Sequence, residues 1–69
     1  MKVSFPANIR AGSLVRTTHA SILWKKGLVG LVIEIIEADM GRDHAMVAFS
    51  TRHRVQHARV GPHSIEVIT

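Results

Sequence analysis

The chain predicts an all-β fold: a small five-stranded barrel preceded by an extended N-terminal arm. Short runs rich in β-branched residues recur between turns that carry glycine, the pattern of strands in a β domain. No window sustains an apolar period of 3.6 residues, so amphipathic helices are not expected. The 69 residues allow one domain and no second.

Each element follows from local composition. Residues 1–11 read as the arm, because Pro6 pushes Phe5 toward extended geometry. Gly12-Ser13 then opens a strand at Leu14-Val15-Arg16-Thr17-Thr18, and residues 12–69 form the barrel. His19 to Lys26 is a loop made unusually apolar by Ile22, Leu23 and Trp24. Gly27 to Glu37 is the longest strand; a helix over 28–38 competes, but Gly27, Gly30 and five β-branched residues argue against it. A polar turn over Ala38–Asp43 leads to a third strand at Ala45–Ser50, with Val47 and Phe49 on one face. After a tight turn near Thr51-Arg52, His53–Val60 makes a fourth strand whose faces are both too polar for a core, so it belongs at an edge or against a polar partner. Gly61-Pro62-His63-Ser64 suits a turn or one turn of 3₁₀ helix, and Ile65–Ile68 closes as a short fifth strand. Five short strands, a long first loop and a turn before the last strand make an SH3-like barrel the economical arrangement.

Composition bounds the function. A chain this short buries only about 60% of its unfolded surface, so a lone copy is marginal. It has no cysteine, hence neither disulfides nor thiolate metal sites, and 46% of its residues are hydrophobic. Association with another body is the remaining common remedy. No run reaches the roughly 18 apolar residues of a membrane span, and no signal-peptide h-region is visible. The expected location is the cytoplasm, or the inside of an assembly built there. Net charge is +4 and the pI near 10.8. Residues 1–33 hold five Lys or Arg and no acid, whereas Glu34, Glu37, Asp39 and Asp43 crowd together as one acidic corner. Such a surface favours anionic partners or complementary protein surfaces.

The longest strand is apolar on nearly every position. By simple alternation Leu31, Ile33 and Ile35 share one face, and Val32 and Ile36 the other, interrupted by Glu34. A barrel needs one apolar face, so the second must be covered, either by a partner or by the arm folding back through Phe5 and Ile9. The partner reading makes Phe5, Ile9, Trp24, Leu31, Ile33 and Ile36 the docking residues. The partners are then other protein subunits, copies of this chain or different ones.

A second constellation is basic. Trp24 beside Lys25-Lys26 can stack a base and hold phosphates, can anchor a protein contact, or can cap one end of the barrel. With Arg52, Arg54 and Arg59 these lysines are the candidate nucleic-acid or anion-binding set. His53 and His57 share a strand face about 13 Å apart at ~3.3 Å per residue, too far to share one metal ion. No nucleophile elbow, H-E-x-x-H motif or phosphate-binding glycine loop is present. No catalytic residue, cofactor or metal is therefore assigned, and the chain is not expected to be an enzyme.

Three resemblances add to this. Lys26 followed by Gly27, Gly30, Val32 and Ile35 resembles the Gly-x-x-Gly-x-Val-x-x-Ile spacing of KOW-type barrels in ribosomal and transcription proteins. That resemblance implies a barrel with Val32 and Ile35 inside, and a nucleic-acid-binding role. Over the whole length, Gly12, Leu14-Val15-Arg16, Gly27, Gly30, Val32 and Glu66-Val67-Ile68 resemble small barrel proteins encoded by bacteriophages. This second resemblance implies a structural or accessory part of a phage particle, located within the virion. Phe5-Pro6, Val15-Arg16, Trp24, Val29-Gly30, Val55-Gln56 and Glu66 also fall in the order seen in type B dihydrofolate reductases, tetramers built around a central pore. There a Val-Gln-Ile-Tyr run and a lysine serve the pore; here the run is Val55-Gln56-His57-Ala58, and Thr17 stands where the lysine would be. The expectation carried forward is a non-enzymatic component of a larger assembly, with nucleic-acid binding as the alternative and a reductase-like activity as a minor one.

Overall fold

The computed structural model of the chain describes residues 2–22 and 24–69. All regular structure among them is β: β1 (Leu14–Thr17), β2 (Val29–Ile36), β3 (His44–Ser50), β4 (Val55–Val60) and β5 (Ile65–Val67). No helix among the described residues is long and apolar enough to cross a membrane. The strands form one antiparallel sheet in the order β4-β3-β2-β1-β5. The fourth strand is an edge, one of the two placements its composition allows, and it starts at Val55 because Thr51–Arg54 forms the hairpin turn. There the Thr51 amide donates to the Arg54 carbonyl at 2.8 Å. Β5 returns across the sheet to pair with β1, leaving β4 and β5 as the two edges.

One face of the sheet carries the core. Val15, Val32, Ala45, Val47, Phe49, Val60 and Ile65 point there and are buried. Val60 on one edge strand and Ile65 on the other belong to the same apolar cluster, so the sheet bends around it. The arm supplies an eighth buried residue, Ile9, and Phe5 and Trp24 pack against the cluster from the sides.

The longest strand departs from simple alternation. Val32 pairs with Val47 and Glu34 with Met46, so Ile33 is an extra residue, a β-bulge. The bulge turns Ile35 inward opposite Ala45 and Ile36 outward opposite His44. The inner residues are thus Gly30, Val32 and Ile35, while Leu31, Glu34 and Ile36 share the outer face with exposed Ile33 beside them. The pairing of Ile35 with Leu31 and Ile33 expected from alternation is corrected by that one inserted residue.

The two glycines of this region serve different ends. Gly27 has φ +83°, a left-handed turn conformation that precedes the strand. Gly30 lies against the Phe49 ring and Val47, and a Cβ there would sit 2.6 Å from both side chains. Its role is close approach.

The polar turn is also less simple than its composition. Asp43 is buried at 3% exposure, its carboxylate accepting the Ala38 amide at 3.0 Å and lying 3.5 Å from the Lys2 ammonium. The backbone hydrogen bond from Ala38 is the main cause of its lowered pKa, with attraction to Lys2 and a hydrogen bond from Ser4 adding to it. Val3 bridges Arg42 in parallel, and the Asp43 amide donates to the Val3 carbonyl at 2.8 Å. Asp43 is therefore no part of a solvated acidic corner; it fastens the arm to the β2–β3 turn.

Candidate functional site: an apolar outer face and a basic end cleft

The strand register places the outer side chains in rows. Ile68 follows β5 beside Leu14, whose carbonyl accepts the Ile68 amide at 2.7 Å. Leu14 pairs with Leu31, Leu31 with Ala48, and Ala48 with His57. This row crosses the whole sheet, about 19 Å at ~4.8 Å per strand. In the adjacent row Arg16 pairs with Glu66 on one side and Val29 on the other, and Ser50 pairs with Val55. The Arg16 guanidinium donates to Glu66 Oε1 through Nε at 3.0 Å and Nη2 at 2.8 Å.

Leu14, Val29, Leu31, Ile33, Val55 and Ile68 are each at least 38% exposed. Among the described residues the other exposed large apolar side chains, Ile22 and Met40, lie in loops. Cross-strand apolar neighbours at such spacing make a contiguous patch, unlike isolated surface leucines. The arm does not cover it: Ile9 is 6% exposed in the core, and Phe5 is half-buried against the same cluster. Phe5 and Ile9, expected to meet a partner, are instead used by the chain's own interior. Leu31, Ile33 and Ile36 lie along the outer side of β2, although alternation had separated Ile36 from the other two.

The second feature is a cleft of about 390 Å³ at one end of the sheet. Trp24 and Leu28 supply apolar lining, Lys25 and Arg52 supply cations, and Ser50, Thr51 and Gln56 supply polar groups. Trp24 is half-buried and stacks on Phe49 with centroids 6.4 Å apart, while its indole N–H donates to the His19 carbonyl at 3.0 Å. It both caps the core and lines the cleft. Of the five candidate cations, Lys25 and Arg52 meet here; Lys26 and Arg54 do not line the cleft, and Arg59 points outward from β4.

Thr17, read in the sequence as a residue of the first strand standing where a lysine is expected by resemblance, organises this end. It is 1% exposed, its hydroxyl donates to the Lys25 carbonyl and accepts the Leu28 amide at 2.9 Å. Thr17 therefore ties both ends of the Lys25–Leu28 segment to β1. A threonine with a buried hydroxyl is not distinguishable by type from any other strand threonine. Among the described residues no three His, Asp or Glu side chains converge as metal ligands would, and His53 lies in the β3–β4 turn while His57 is on the outer face. No family model, characterised protein or solved structure matches the chain.

Proposed function

We propose that this chain is an SH3-like barrel acting as a non-enzymatic docking component of a larger protein assembly, with the outer sheet face as its contact surface. The barrel reading is supported by the return of β5 to β1 and by a core shared between both edge strands. The docking reading is carried by one observation: six exposed apolar residues lie together on the outer side of the sheet while the arm packs on the other. Leaving such a patch wet forfeits about 25 cal/mol for each Å² that a partner would cover. A bacteriophage particle is the setting implied by the whole-length resemblance of Gly12, Leu14-Val15-Arg16 and Glu66-Val67-Ile68 to small phage barrel proteins.

A second reading, a KOW-like nucleic-acid binder, is favoured by the convergence of Trp24, Lys25 and Arg52 on one cleft. Dilute protein, at about 0.1 µM so that weak complexes are apart, separates the two. Docking predicts enhanced fluorescence of an apolar-surface dye, lost in Leu31→Asp and indifferent to salt. Retardation of a single-stranded oligonucleotide at ~0.15 M salt, falling steeply with added salt and lost in Lys25→Ala and Arg52→Ala, supports the second reading instead. Turnover of dihydrofolate with a nicotinamide cofactor would sink both.

A further inference from the structure

Resting on the docking reading, we propose that the occupant of the outer face is a second copy of this chain, related by a two-fold axis running along β3. Three observations lead there.

The first is surface. A compact monomer of 7.6 kDa is expected to expose about 4300 Å², whereas this chain exposes 4920 Å² in a slab of 38 × 24 × 16 Å. The excess is roughly 600 Å², near what each partner contributes to a small dimer interface. Three strands at ~4.8 Å and seven residues at ~3.4 Å give a footprint of about 14 by 24 Å, about 340 Å² in flat projection and more once the side-chain relief is counted.

The second is charge. The molecule carries +4, so copies repel through most of their surface. The outer face is the exception: Arg16 and Arg59 are balanced by Glu34 and Glu66. A neutral, apolar patch on a basic protein suits a copy of itself better than an anionic partner.

The third is register. Glu34, Met46 and Arg59 form one cross-strand row, with Met46 on β3 between them. A two-fold axis along β3 lays β2 of each copy over β4 of the other, so Glu34 meets Arg59 twice and Val29 meets Val55 twice; it covers Val29, Leu31, Ile33 and Val55 and leaves Leu14 and Ile68, on the β1–β5 side, outside the contact. An axis along β2 would instead set Glu34 against Glu34, a like-charge contact. The charges choose the β3 axis.

Sedimentation equilibrium over about 1–500 µM tests this, because an interface of ~600 Å² per copy belongs at the weak end of specific dimers. The mass is expected to rise from 7.6 kDa toward twice that value. Leu31→Asp and Val55→Lys, each checked for folding by circular dichroism, should weaken association at least about tenfold, since each alters both copies. Ile22→Asp removes an apolar side chain from a loop and should change nothing. Glu34→Arg and Arg59→Glu should each weaken the dimer, and together restore it. Failure of the paired exchange to restore association overturns the β3 axis. A single copy throughout overturns the second copy as occupant. If that single copy still shows Leu31-dependent dye binding, docking stands with a different protein; without it, both readings fall.

Discussion

Gly30 faces Phe49 across the β2–β3 ladder, and any side chain there must displace a ring that is only 1% exposed. Gly30→Ala is expected to cost about 1–3 kcal/mol by overpacking, read as a lower urea midpoint. Gly61→Ala is the control: its Cβ would approach the flexible Arg42 stem at 3.1 Å and should cost less. Asp43 acts through charge. Its pKa is lowered from the ordinary 3.8, so its contribution is present above that value and is lost as pH falls through the folded-state value. Wild-type stability should therefore fall on acidification below about pH 4 more steeply than that of Asp43→Asn, in urea melts taken across that range. If the two slopes coincide, the carboxylate is not what fastens the arm.

At the scale of elements, what the sequence showed of β2 depended on the kind of signal. Its glycines and β-branched residues identified a strand, and the resemblance to KOW-type barrels implied that Val32 and Ile35 both lie inside. Simple alternation contradicted that expectation, and the bulge at Ile33 resolves the conflict. A bulge is set by pairing with a distant strand, so nothing local to residues 29–36 announces it. Asp43 read as part of an acidic corner rather than as a buried fastening for a related reason: its partners Lys2, Ser4 and Ala38 come from both sides of a long-range contact. The basic set was legible as residue types, but only the hairpin brings Arg52 to Lys25. The β1–β2 loop offers a direct check. Thr17→Val keeps the shape of the buried side chain but strands the Leu28 amide and the Lys25 carbonyl. We expect a loss of about 1–3 kcal/mol and faster tryptic cleavage after Lys25 and Lys26, with the rest of the chain still folded.

For the whole molecule, the eight buried apolar residues among those described make a thin core, and the same sheet leaves six apolar residues wet on its other side. Such an arrangement is marginal for one copy and improves when two copies share their outer faces. Pairing of copies through that face, as proposed, would add to folding by mass action, because only the folded chain presents the face. A partner at a hundredfold above its dissociation constant adds about 2.7 kcal/mol, and domains of this size shift by about 4–8 °C per kcal/mol. The thermal midpoint of the wild-type chain should accordingly climb by several degrees between dilute and concentrated samples. Leu31→Asp should melt at a midpoint independent of concentration, near the dilute wild-type value, because it removes the contact while leaving the inner core intact. Equal midpoints for wild type at all concentrations would mean that the outer face adds nothing to stability through a second copy.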